Sequence, residues 1–127
     1  MRLKNFNLSP GTQFFKSFAD ESRVRILFLL HHNHELSISD IENILDFTQT
    51  KTSRHMIYLK NTGLVSSRKE DQWVLYSLKE EVKDFVNQIF QFLSKDPVLL
   101  KDLETYKILN SNRELSVNKI QRKTWLH

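Results

Sequence analysis

A single glycine divides the most informative stretch of this chain. Gly63 separates residues whose apolar positions recur at helical spacing from residues whose pattern suits extended chain. Before it, Ile41, Ile44 and Leu45 form one face of a short helix over residues 40–45. Thr52, Met56 and Leu59, with Ile57 or Tyr58 flanking, form the inner stripe of a second helix over residues 49–61. After it, residues 64–69 and 73–78 read as two strands around the charged turn Glu70-Asp71-Gln72. Glycine suits the junction because a left-handed residue that closes a helix meets no Cβ clash there. Ser39 or Ser37 can cap the first helix and Thr48 the second. Asp46 and Phe47 make the turn between them, and Asp tolerates the left-handed conformation better than most residues. Two helices joined by so short a turn, with polar donors at the start of the second, form the helix-turn-helix pattern. The hairpin that follows is a wing. Val74, Tyr76 and Leu78 are expected to face the core, with Trp73, Leu75 and Ser77 on the other face.

Charge is distributed to match. Residues 48–69 hold Lys51, Arg54, Lys60, Arg68 and Lys69 and no acidic residue, while Asp40, Glu42, Asp46, Glu70 and Asp71 lie on either side. A one-sided basic segment is what a surface facing phosphates needs. The net charge of +4 favours an anionic partner only mildly. Gln49, Thr50, Lys51, Ser53 and Arg54 remain near the outer face of the second helix.

The flanking segments supply a core and a cover. Residues 1–11 read as irregular, with Pro10-Gly11 as a breaker. Phe14, Phe15 and Phe18 then give a short apolar helical face. Asp20 caps a helix in which Val24 and Ile26 to Leu30 are apolar on most sides, the mark of a buried central helix. His31, His32 and His34 suit a polar helix end better than a metal site, because neighbours on a helix end converge poorly on one ion. A long helix over residues 79–94 carries Val82, Phe85, Val86, Ile89 and Leu93, widened by Phe90 and Phe92. This stripe exceeds what one small domain readily covers, so a partner subunit is the expected cover. Asp96-Pro97 starts a further helix to about residue 109, and Leu115, Val117 and Ile120 suit a last short one. Residues 1–95 are expected to form the DNA-binding and dimerisation domain, and residues 96–127 a C-terminal helical extension.

The sequence resembles the ArsR-type winged-helix repressors. The resemblance rests on Phe18-Ala19-Asp20-Glu21-Ser22-Arg23 with Ile26-Leu27, Thr48-Gln49-Thr50 with Ser53-Arg54-His55, Gly63-Leu64-Val65, and Trp73-Val74-Leu75-Tyr76. They occur in order over about residues 14–93. It implies a mainly α fold with a small β-hairpin, a winged helix-turn-helix whose first and last helices build a dimer interface. It implies a homodimeric repressor of double-stranded DNA with the helix from Gln49 in the major groove and the hairpin at residues 68–72 beside it. Gln49, Thr50 and Lys51 would then meet base edges. Ser53, Arg54, His55, Arg68, Lys69 and Gln72 would meet phosphates or the minor groove. His55 has an alternative role, a hydrogen bond within the fold. Phe14, Phe18, Val82, Phe85, Ile89 and Leu93 would form the interface.

The sequence departs from the family where its members sense metals. Ser37-Ile38-Ser39-Asp40 stands where metal-sensing members carry Cys-x-Cys-Asp, and hydroxyls are poor ligands for thiophilic ions. Residues 79–94 contain no histidine, so the zinc site of other members has no counterpart. Asp46 and Asp71 replace two customary turn glycines, and Thr52 replaces an apolar residue. No metal and no cofactor are expected, and control is expected from a non-metal ligand at the dimer interface, from another protein or from protein abundance alone. Other function classes fit less well. An enzyme is not expected: the chain has no cysteine nucleophile, no glycine-rich phosphate loop and no placeable His-Asp-Ser set. A winged helix used only for protein contacts is the alternative, against which the basic residues argue. The absence of cysteine, of a signal-peptide core at the N-terminus and of any apolar run of about 20 residues leads to the expectation of a cytoplasmic protein without membrane contact.

Overall fold

Several helix starts lie where a local side chain satisfies the backbone, and two stops where a residue turns left-handed. The structure, a computed structural model, describes residues 5–125, with side chains to residue 120. In order, the elements are α1 (Leu8–Ser17), α2 (Glu21–His32), β1 (Leu36–Ser37), α3 (Ile38–Leu45), α4 (Gln49–Thr62), β2 (Val65–Glu70) and β3 (Trp73–Leu78). A 3-10 turn (Glu80–Val82), α5 (Lys83–Leu93), α6 (Pro97–Ser111) and α7 (Ser116–Trp125) follow. The side chains of Asp20 and Thr48 accept from the amides of Arg23 and Lys51 at 3.2 Å, closing the first turns of α2 and α4. Asp96 does the same for α6 through Val98 and Leu99. Ser37, rather than Ser39, caps α3 in a reciprocal capping box with Asp40. Asp46 closes α3 at φ 57°, ψ 43°, and Gly63 closes α4 at φ 89°.

Helix α2 forms the centre, with Ile26 to Leu30 all buried. Around it lie Ile41, Ile44 and Leu45 of α3, Met56 and Leu59 of α4, Leu78 of β3, and Val82, Val86 and Phe90. The sheet is antiparallel in the order β1-β3-β2, with Ser37 opposite Leu75 and Arg68 also opposite Leu75 on the other side.

Four local expectations need correction. Helix α1 already begins at Leu8, so Pro10 and Gly11 lie in its first turn. Amides there have no partner inside the helix, so proline sacrifices no hydrogen bond. The hairpin gains a third strand, β1, too short to show a period in sequence. A 3-10 turn separates α5 from the sheet, so residues 79–94 are not one helix. Finally, the two faces of β3 do not divide as expected. Leu78 enters the core, but Val74 is exposed near the wing tip and Leu75 is buried on the opposite face. The reason is the extension: Leu75 shares a cleft with Tyr106, Val117 and Ile120, so α6 and α7 cover the outer face of the sheet.

The extension is fastened at several points. The Arg25 guanidinium makes two bonds to Asp102 of α6, at 2.8 and 2.9 Å. Leu115 is fully buried in the core, and within the extension Asn118 ties α7 to Asn110 of α6 at 2.7 Å. Among the described residues, no helix is long and apolar enough to cross a membrane.

Candidate nucleic-acid interface

Helix α4 sorts its side chains by period. Thr52, His55, Met56 and Leu59 turn inward. Gln49, Thr50 and Arg54 are exposed and Ser53 is half-buried, giving a polar face over the first turn and a half. Thr52 fits inside because its hydroxyl donates to the Thr48 carbonyl at 2.9 Å. Lys51 is half-buried, with its ammonium 4.1 Å from the centre of the Phe47 ring, so it lies back over the turn between α3 and α4.

His55 is not brought to that face. It is only 8% exposed. Burial holds its pKa below the ordinary 6.5; the Asp20 charge opposes this, and Arg23, Arg54 and Lys51 add to it. Its neutral form is therefore favoured near pH 7. Of the two flanking residues, Tyr58 lies under the Arg23 guanidinium at 4.0 Å, whereas Ile57 is 60% exposed. Ile57 thus joins the outer face one turn after Arg54, a position that only its distance from the inner stripe could have signalled.

The wing places its three candidate residues unequally. Lys69 and Gln72 are exposed. The Arg68 guanidinium is engaged by Glu35 at 2.6 and 2.9 Å and by Glu70 at 2.6 Å. Those bonds raise the Arg68 pKa further, and the Arg68 guanidinium holds the Glu35 carboxyl below its usual range. Arg68 therefore braces the wing against the loop before β1. Lys60 is also occupied, donating to Ser67 of β2 at 2.7 Å.

A second surface lies on α1 and α5. The Phe85 ring is the hub, with the rings of Phe6, Phe14, Phe15 and Phe18 between 5.6 and 6.0 Å away. Val82 and Phe14 are buried within the chain and support this face from behind. Phe85 and Ile89 are half-buried, Leu93 lies at the margin, and Phe15 and Phe92 stand out at 64% and 90% exposed. The last two belong to the face but not to the expected set.

The remaining candidate ligands are engaged elsewhere. His31 stacks on Phe90 at 5.4 Å, and His32 meets Phe28 edge-on at 4.5 Å. Burial lowers the pKa of both. Ser37 and Asp40 bind Ser116 of α7: its amide donates to Asp40 Oδ1 at 2.6 Å, and its hydroxyl lies 2.7 Å from Asp40 Oδ2 and 2.8 Å from Ser37 Oγ. Among the described residues, no three His, Cys, Asp or Glu side chains are grouped to hold a metal ion.

Comparisons with known proteins agree with this geometry. The family model for bacterial regulatory proteins of the arsR family matches residues 20–67, from the cap of α2 into β2. A cadmium resistance transcriptional regulatory protein, CadC of Listeria innocua, is 40% identical over 78 residues, which cover 61% of this chain and 66% of that protein's length. Among solved structures, HlyU from Vibrio cholerae superposes with a TM-score of 0.65 at 32% identity, covering 72% of this chain and all of that one. A homodimeric winged helix-turn-helix DNA-binding domain from Mycobacterium bovis matches with a TM-score of 0.63 at 25% identity, covering 69% of this chain and 82% of that one.

Proposed function

The chain belongs to the arsR family of bacterial regulatory proteins, and from that premise we propose that it is a homodimeric, sequence-specific repressor of double-stranded DNA. The observation that carries this reading is the free polar face of α4. Gln49, Thr50, Ser53 and Arg54 lie together there, opposite the stripe that buries Met56 and Leu59. A helix offering amide, hydroxyl and guanidinium groups on its first turns, beside an exposed Lys69 and Gln72, is shaped to read the major groove while the wing follows the backbone.

Roles follow from donor chemistry. Gln49 reads a base edge, with amide groups that match adenine in two bonds. Thr50 accompanies it. Arg54 and Lys69 take phosphates, and Ile57 meets a thymine methyl. Lys51 reaches DNA only by leaving Phe47. His55 and Arg68 hold the helix and the wing in place from within. The dimer, closed through Phe15, Phe85, Ile89 and Phe92, sets two α4 helices one DNA turn apart, about 34–36 Å.

The test separates affinity from specificity. Arg54→Ala is expected to weaken binding to every duplex and to reduce its salt dependence. Gln49→Ala is expected to relax preference at one base position, by about 1–3 kcal/mol. If both variants bind as the parent does, α4 is not the reading helix. A parent whose affinity for duplex DNA is negligible would instead make the fold a protein-interaction module.

A further inference from the structure

The wing brings less positive charge to DNA than its sequence suggests. Its tip carries Arg68 and Lys69 against Glu70 and Asp71, and Arg68 is already bound by two carboxylates. Helix α7 lies alongside. It starts at the capping box of α3, where Asp40 and Ser37 hold Ser116. One turn later Lys119 and Ile120 share a cleft with Asp71, Gln72 and Trp73, and the Lys119 ammonium is 5.8 Å from the centre of the Trp73 ring. The helix therefore runs from the helix-turn-helix to the wing tip and continues to Trp125.

Its composition suits that position. Residues 116–125 read SVNKIQRKTW, with Lys119, Arg122 and Lys123 and no acidic residue. These three stand at i, i+3 and i+4, which shares one side of a helix, while Ile120 is buried. Lys119 itself is exposed. At physiological salt the screening length is about 8 Å, so cations here act on the same stretch of backbone that the wing approaches.

We propose that α7 is a second DNA-binding element, which sets Lys119, Arg122 and Lys123 against phosphates flanking the groove that the wing enters. The proposal rests on the DNA-binding reading above and adds to it a contact outside residues 20–67. Its fixed seat matters: an arm held by Ser116 and Leu115 loses little conformational freedom on binding. The contacts are to backbone, so they add affinity without base preference.

The experiment is a salt titration of the full chain with mixed-sequence duplex DNA, comparing the parent with Lys119→Gln/Arg122→Gln/Lys123→Gln. Each phosphate contact adds about 0.9 to the slope of log affinity against log salt, and the dimer brings two α7 helices to the duplex, so the triple variant is expected to lose a slope of up to about 5. Its thermal unfolding should match that of the parent, since Leu115 and Ser116 are untouched. An unchanged slope overturns the proposal, whether affinity stays the same or falls: in the second case α7 only braces the wing. A parent that binds no duplex overturns the reading beneath it as well, whereas a parent that binds and loses slope with Arg54→Ala but not with the triple variant overturns this proposal alone.

Discussion

Asp40 shows how much one side chain can hold together. It is buried, and a buried carboxylate is costly unless hydrogen bonds replace its water. Here the Ser37 amide, the Ser116 amide and the Ser116 hydroxyl donate to it. It therefore sits in the first turn of α3 and receives the first amide of α7, so two helix N-termini point at one charge. Asp40→Ala would take this acceptor from the Ser37 and Ser116 amides, leaving the Ser116 hydroxyl only Ser37 Oγ, and it is expected to lower stability by about 3 kcal/mol in urea unfolding. Ser39→Ala, which loses only a 3.0 Å contact to the Ser37 hydroxyl, is expected to cost less than about 1 kcal/mol. Equal losses would mean that Asp40 does not carry the junction. In sequence the cap stayed open between Ser39 and Ser37; the reciprocal bonds with Asp40 decide it for Ser37. The partner Ser116, 76 residues away, was not legible, because local pattern states what a backbone needs but not which distant segment answers it. Arg68 teaches the same lesson. Its charge was legible; its engagement by Glu35, 33 residues away, was not.

At the scale of elements, α5 divides an apolar stripe that the sequence presents as one. Val82, Val86 and Phe90 pack inward, while Phe85, Ile89 and Phe92 at i, i+4 and i+7 form the outer face with Phe15. Helical spacing alone allows either assignment, since apolar residues surround most of the helix. Burial of the free face is the reason to expect a two-fold partner. Phe85 is a poor place to test it, because its ring touches four others in the same chain. Phe92→Asp is the cleaner change. It is expected to shift the protein from dimer to monomer in sedimentation at micromolar concentration, with the helical signal in circular dichroism kept. A dimer unaffected by Phe92→Asp and Phe15→Asp would place the interface elsewhere.

At the scale of the whole molecule, the question is what signal such a regulator would answer. CadC of Listeria innocua carries cadmium resistance in its name. This chain has no thiolate, and its Ser37 and Asp40 are occupied by α7. Zinc needs three or four converging ligands, and thiophilic ions need sulfur. We therefore expect arsenite, cadmium and zinc at low micromolar levels not to release the protein from DNA. Control is then expected from a non-metal ligand, a partner protein or abundance. The measurement is DNA binding titrated with each ion, with and without a chelator. Stoichiometric release that disappears in a His31→Ala/His32→Ala/His34→Ala variant would show that the histidines form a sensor after all.

What the sequence determined by itself was a set of features that depend on neighbours along the chain. The caps at Asp20, Thr48 and Asp96, the left-handed stops at Asp46 and Gly63, the central burial of α2 and the order of helix, turn, helix and wing all follow from short-range sterics and hydrogen bonding. Tertiary structure alone decided the matters that join distant segments. It buried Leu75 under α6 and α7, turned His55 inward, bound Arg68 to Glu35 and seated α7 between α3 and the wing. A period of 3.6 or 2 says which residues share a face; only the packed chain says what lies against that face.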